Sequence, residues 1–361
     1  MKKTILLVVA ILLCSMKMMA EGLTATLQQG ETMTAFYGVN AFVDAYNAAE
    51  DGAVITLSEG RFNDVSSIEK SITVIGNMAF DVEGYEKTYL ANDRNVTINA
   101  DNVTLEGIYW SRSYILFLGN ISNCHIRRCR IGGRLDYVKN TVHTNTLIDQ
   151  CVINCEAAMP TSRNYCLKNS TINCFGNSNS SEHIAYITNC YICCFTLYNY
   201  SDYAQPYAIY KNCVLGMDNN NYPTVNMYFY SPSEFYNNYF YRITSNNNYT
   251  NYIVKESFSN GCLNNGNTNS GDKSAYVSNH YTGNYIINSF NQTGDDGTPI
   301  GITGGSGFSP YPSIPRITSK QIDSKTDSEG KLNVKITVST EETLVKEEKP
   351  EEGTGEETTS E

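Results

Sequence analysis

Residues 187–194 read Ile-Thr-Asn-Cys-Tyr-Ile-Cys-Cys, and the segment Asn189-Cys-Tyr-Ile192 inside them is one copy of a recurring phrase. The phrase is Asn or Gln, a small or apolar residue, any residue, then a bulky apolar one. It appears as Asn102-Val-Thr-Leu105, Asn123-Cys-His-Ile126, Gln150-Cys-Val-Ile153, Asn169-Ser-Thr-Ile172, Asn212-Cys-Val-Leu215 and Asn237-Asn-Tyr-Phe240, and more weakly as Asn260-Gly-Cys-Leu263. Successive copies are 21, 27, 19, 20, 23, 25 and 23 residues apart. Brief alternating runs precede most of them, such as Val96-Thr-Ile98, Thr146-Leu-Ile148 and Ala185-Tyr-Ile187.

A variable period of this length, with short strands and polar turns, predicts a solenoid of β coils. Leucine-rich repeats share the period but need a denser leucine skeleton and usually a helix in each repeat. Here leucine is sparse and β-branched residues dominate, so the expected fold is all-β, a right-handed single-stranded parallel β-helix. Coils would stack at about 4.8 Å. The recurring Asn is expected at one turn in every coil, because Asn tolerates the left-handed conformation of a sharp bend. Composition agrees: charged residues are only 17% of the chain and tyrosines number 27, which suits strands and Asn-rich turns.

The repeat then gives the cysteines a place. Two inward columns are expected, one of Cys124, Cys151, Ser170, Cys190 and Cys213, the other of Cys155, Cys174, Cys194 and Met217. Buried thiols behave as small apolar side chains. The Cys190-x-x-Cys193 pair reads poorly as a metal or redox motif: its two members would face opposite sides of a strand, a zinc site needs four converging ligands, and no helix start follows. A disulfide between neighbouring coils is awkward at a ~4.8 Å rise, since Cβ atoms prefer ~3.5–4.5 Å.

Both ends need caps. Gly38–Glu50 predicts a helix with Phe42, Val43, Tyr46 and Ala49 on one face, followed by strands at Ala53–Leu57 and Ser71–Ile75. Arg316–Ile322 and Lys331–Val338 alternate around Asp327–Gly330 and predict a β-hairpin. Residues 1–20 read as a secretory signal, with Lys2 and Lys3 before the apolar run Ile5–Leu13 and cleavage expected after Ala20. The expected organisation is signal 1–20, leader 21–36, β-helix with its N-terminal cap 37–300, Gly/Pro-rich linker and hairpin 301–340, and disordered acidic tail 341–361. The tail holds nine Glu against two Lys, most of the net charge of −11. Nucleic acid is not an expected partner, and no later segment is apolar enough to span a membrane.

The repeat and its two ends resemble the right-handed parallel β-helix proteins of the pectin-lyase-like superfamily, in particular secreted members abundant in gut anaerobes. The resemblance covers about residues 37–290 and the C-terminal segment. It implies a groove along an exposed sheet and, in many relatives, polysaccharide lyase or hydrolase activity. Lyases of that kind use an Arg or Lys base and often Ca²⁺; hydrolases use paired carboxylates. The polygalacturonase-type N-T-D, G-H-G and R-I-K phrases and the pectate-lyase W-x-D-H phrase are absent, so no catalytic residue is carried over and no cofactor is expected, Ca²⁺ entering only under a lyase reading.

A groove beside the strands would collect Arg112 and Tyr114, then Arg134, Asp136 and Lys139, then Arg163, then Glu182 and His183, then Tyr228 and Tyr230. The mixed charges at 134–143 could grip an acidic sugar, and the tyrosines offer flat surface with a hydroxyl. The expected ligand-binding residues are Arg134, Asp136, Lys139, Arg163, Tyr228 and Tyr230, with no metal site. The expected function is an exported β-helix, secreted, periplasmic or on the cell surface, that presents a surface to a polysaccharide or cell-surface partner. The alternative is a divergent polysaccharide lyase or glycosidase acting on acidic glycans.

Overall fold

A computed structural model describes residues 22–90, 95–111, 114–137, 141–159, 161–163, 165–168, 170–177, 185–192, 208–216, 234–241, 263–265, 268–270, 293–294, 296–313, 315–322 and 334–339. Side chains of 154–169 and 171–185 and of several other strand residues are outside that description.

The chain is a parallel β-helix. Sheet A stacks the strands Val54–Leu57, Thr73–Ile75, Thr104–Glu106, His125–Arg127, Leu147–Asp149, Tyr165–Lys168, Ala185–Thr188, Ala208–Lys211, Glu234–Tyr236 and Leu263–Asn265, all in parallel register. Sheet B stacks the strands that follow each of these, from Gly60–Phe62 through Thr88–Leu90, Tyr109–Trp110 and Arg130–Ile131 to Thr268–Ser270. A second arm of sheet B holds Ser67–Ile68, Val96–Ile98, Ile115–Phe117 and Leu135–Tyr137. Sheet C is short: Ile121–Ser122, Val142–Thr144 and Thr161–Arg163.

Alternation decides which side chains meet inside. Val74, Leu105, Ile126, Ile148, Ile187, Tyr210 and Phe235 are the inward residues of sheet A, and all are buried. Like residues stack on like: the rings of Tyr210 and Phe235 lie 4.8 Å apart and nearly parallel, as do those of Phe117 and Tyr137. Each coil therefore buries its apolar face mainly against the coils above and below, the condition that makes a solenoid cooperative.

The recurring Asn phrase proves to belong to two corners rather than one. Asn102, Asn123 and Asn145 precede sheet A, with φ of 57°, 56° and 55°. Their amides form a ladder: Asn123 Nδ2 donates to Asn102 Oδ1 at 3.0 Å, and Asn145 Nδ2 to Asn123 Oδ1 at 3.1 Å. Gly107, Arg128, Gln150, Asn189, Asn212 and Asn237 follow sheet A, again with positive φ. The 27-residue step between Asn123 and Gln150 is one coil plus the crossing of sheet A. Both corners need the left-handed conformation, and Asn serves either one, which is why the phrase looked uniform.

The cysteine columns shift accordingly. Cys124 lies in register with Val103, not with Cys151. The column after the second corner is Ile108, Cys129, Cys151, Ser170, Cys190, Cys213 and Asn238, all buried. Its members satisfy backbone amides that the strands leave over: Cys151 N donates to Ser170 Oγ at 3.0 Å and Cys213 N to Asn238 Oδ1 at 2.9 Å. Thiols fit there because they are small and bond weakly in both senses. Burial pushes the Cys124 thiol up to about 11 and the Cys151 thiol up to about 12, so both stay protonated. In the second expected column a bulge pairs Cys174 with Glu156 rather than with Cys155; Cys193, Cys194 and Met217 lie outside the described residues.

The N-terminal cap has two parts. Thr24–Gln29 and Thr32–Tyr37 form an antiparallel hairpin where a leader was expected, and its first strand pairs antiparallel with Val54–Leu57, ending sheet A. The helix Ala41–Ala48 buries Ala41, Phe42, Ala45 and Tyr46. Its last carbonyls are held by one cation: Lys70 Nζ donates to Tyr46 O and Ala49 O, each at 2.8 Å. Later in the sequence, Arg316–Ile322 pairs antiparallel with Val334–Ser339 in a separate compact unit, residues 313–361.

Residues 296–312 belong to the β-helix unit and form a strap that runs back along the second corner. Gly301 N donates to Asn212 O at 2.8 Å, and Ser309 N to Gln150 Oε1 at 2.8 Å. Gly304 packs on the Asn189 amide, where a Cβ would collide with the carbonyl of Pro299. Phe308 meets Phe80 edge-on at 5.2 Å, and Pro312 lies over Gly107. The strap thus ties together coils that do not touch one another.

Candidate binding face on sheet B

The outward residues of four successive sheet-B strands form one column: Arg61, Tyr89, Tyr109 and Arg130. Their chain neighbours Phe62, Leu90, Trp110 and Ile131 point into the core, so the strand period alone fixes the outward set. The Tyr89 and Tyr109 ring centroids are 5.2 Å apart at 47°. Cations close both ends: Arg61 Cζ is 5.7 Å from the Tyr89 centroid, and Arg130 Cζ is 4.7 Å from that of Tyr109. Lys87 Nζ stands 5.5 Å from the first ring and 5.8 Å from the second.

Among the described residues, Asp81 is the carboxylate that pairs with this group. Asp81 pairs with Lys87 and lies 3.4 Å from Arg130 Nη1, with half of its side chain exposed. Burial pulls the Lys87 ammonium down, but the hydrogen bonds and charges of Asp81 and Tyr89 outweigh it, leaving Lys87 above its ordinary value and charged. Among the described residues, the three cations Arg61, Lys87 and Arg130 gather at the two rings, and Asp81 pairs with two of them. Tyr85 and Tyr311, edge to face at 5.6 Å, flank the column where the strap passes. Arranged so, the group offers two adjacent, tilted aromatic rings with guanidinium groups at either end, which suits a flat ring bearing an anionic substituent.

The expected site residues are distributed differently. Arg134 and Asp136 sit on the second arm of sheet B and pair with each other, Nε to Oδ2 at 3.5 Å, each about one-third exposed. Asp136 Oδ1 also accepts the Tyr137 amide at 2.8 Å. Arg163 lies on sheet C in register with Thr144. The Arg163 side chain, Lys139, Tyr228 and Tyr230 fall outside the described residues, as do Arg112, Glu182 and His183. The column Arg61, Tyr89, Tyr109 and Arg130 was missed because its members become one file only after the second corner is placed. Its signal was present as Thr88-Tyr-Leu90, Ile108-Tyr-Trp110 and Cys129-Arg-Ile131. Among the described residues, no three His, Cys, Asp or Glu side chains converge as metal ligands.

Asp64, beside Trp110, and His143, on sheet C, are buried titratable groups whose values shift in opposite directions. Asp64 accepts from Trp110 Nε1 at 2.9 Å and from Val65 N at 2.8 Å. Burial outweighs those bonds and lifts its carboxyl from 3.8 to about 7. His143 sits edge-on to Phe117 and Tyr137, and burial lowers it from 6.5 to about 4. The two act in opposite senses. Asp64, raised on folding, contributes fully below pH 3.8 and loses that contribution as pH rises through 7. His143, lowered on folding, contributes fully above pH 6.5 and loses that contribution as pH falls through 4. In Asp64→Asn the opposing Asp64 limb is gone while the lowered His143 and His125 remain, so its unfolding free energy is expected to rise from pH 4 to 6.5 and then level off, by a few kcal/mol in all. Denaturant titrations across that range check this; a variant whose stability falls from pH 5 to 7 would contradict it.

The fold and this face together define a parallel β-helix that presents a tyrosine–cation ladder on one sheet. No helix among the described residues is long and apolar enough to cross a membrane. Comparison with family profiles, with curated proteins and with solved structures finds no match to this chain.

Proposed function

We propose that the chain is an exported β-helix of the pectin-lyase-like kind that binds acidic glycans or a glycan-coated surface through the Tyr89–Tyr109 ladder. The observation that carries this reading is the ladder itself: two rings 5.2 Å apart with Arg61, Lys87 and Arg130 around them. A sugar ring has apolar C–H faces that stack on tyrosine, and a uronate or sulfate group answers the guanidinium ends. Export rests on the signal-like residues 1–20.

Calorimetry with a panel of neutral and acidic polysaccharides tests the reading. Binding is expected for the acidic members, weakening with salt as screening of a charged contact requires. Equal binding to neutral chains, or none to any member, would overturn it. Running the acidic members with Ca²⁺ and following unsaturated product addresses the alternative; turnover would reassign the chain as a lyase.

A further inference from the structure

We propose that the strand Thr32–Tyr37 pairs with the same strand of a second copy, joining two chains about a two-fold axis at Ala35. This strand ends sheet A. Its inner edge bonds to Thr24–Gln29, and no described strand lies on its outer edge. Sheets usually block such an edge with Lys, Pro or a bulge. Thr32-Met-Thr-Ala-Phe-Tyr37 has none of these and carries no charge. The three most exposed large apolar side chains among the described residues cluster here: Met33 at 68%, Tyr37 at 57% and Val39 at 55%.

The hairpin geometry sets the register. Gln29 and Thr32 close a two-residue turn with Gly30 at φ 57°. Such a turn closes on a doubly hydrogen-bonded pair. Thr32, Thr34 and Phe36 therefore direct their backbone groups to the neighbouring strand, and Met33, Ala35 and Tyr37 direct theirs outward. A two-fold axis perpendicular to the sheet keeps inner faces with inner faces, so only these outward-bonding residues can pair with one another. Centring on Ala35 uses all three: Ala35 faces Ala35 of the second copy, and Met33 faces its Tyr37. That places a thioether beside an aromatic ring and sets Glu31 across from Val39, with no like charges opposed. Shifting by two residues one way sets Glu31 against Tyr37, and the other way moves the Met33 pair off the strand onto Val39.

Light scattering on the purified chain across a concentration series tests this, independently of the glycan reading. The wild type is expected to dimerise with increasing concentration. Ala35→Lys, at an exposed position, is expected to stay monomeric with an unchanged circular dichroism spectrum. Ala35→Cys is expected to give a disulfide-linked dimer on mild oxidation, beyond any formed by wild type, because a doubly bonded antiparallel pair holds its Cα atoms about 5.5 Å apart. A wild type that is monomeric throughout, a dimer untouched by Ala35→Lys, or an Ala35→Cys chain that does not cross-link would overturn the proposal.

Discussion

Trp110→Ala is expected to lower the unfolding free energy by about 3–5 kcal/mol, the cost of deleting a large buried side chain and leaving its cavity. Trp110 is fully buried at the junction of sheet B with the loop that carries Asp64. The substitution also removes the indole donor, one of the bonds that favour the charged form of Asp64. The Asp64 carboxyl should then rise further, and the loss of stability towards pH 7 should steepen. Trp110→Phe separates the two effects: it keeps most of the volume but not the donor, and should cost about 1–3 kcal/mol. Denaturant unfolding followed by circular dichroism measures both, since Trp110 is the only tryptophan and cannot serve as its own probe. If Trp110→Phe costs as much as Trp110→Ala, the hydrogen bond rather than packing carries the site.

Arg128→Ala has a comparable expected cost for a different reason. Arg128 occupies the second corner at φ 50°, a conformation that costs an L-residue with a Cβ about 1–2 kcal/mol. Other coils place Gly, Gln or Asn there. The arginine is retained in a strained position because its head joins three coils: Nη1 lies 2.8 Å from Glu106 Oε1, and Nε donates to Gln150 Oε1 at 3.3 Å. Gln150 in turn accepts from Ser309 of the strap. Glu106 is 4% exposed, so Arg128→Ala leaves a buried carboxylate without this cation, a loss of about 3–5 kcal/mol. Arg128→Gly combined with Glu106→Gln removes both charges and the strain. That double variant should be more stable than Arg128→Ala, the non-additivity expected of residues in contact. A cost below about 1 kcal/mol for Arg128→Ala would show that the corner does not depend on the pair.

Much of the fold could be read from the chain. The alternating runs ending at Ile98, Ile148 and Ile187 are strands, with those residues buried, and the apolar spacing of Phe42 and Tyr46 placed the cap helix. The hairpin at Arg316–Ile322 followed from the same period of two. The single-corner reading failed because Asn is chemically suited to any left-handed bend, so Asn123 and Asn212 look alike although one precedes sheet A and the other follows it. Arg128 and Gly107 share the corner of Asn189 without sharing a residue type, and no local pattern reveals that. The Tyr89–Tyr109 ladder depended on that register and was hidden for the same reason. The hairpin Thr24–Tyr37 was passed over because its short polar strands carry only weak alternation, and its stability comes from pairing with Val54–Leu57. The strap was legible only as a Gly-rich composition; its contacts with Asn212, Asn189 and Gln150 are long-range facts.

The ladder's role is tested most directly by calorimetric titration of one acidic polysaccharide into four chains: wild type, Tyr109→Ala, Arg130→Ala and Arg134→Ala. Tyr109→Ala and Arg130→Ala should each weaken binding about tenfold or more, about 1.4 kcal/mol, while Arg134→Ala, on the other arm of the sheet, should bind as wild type does. Unchanged affinity in the two ladder variants, or a loss confined to Arg134→Ala, would contradict the assignment.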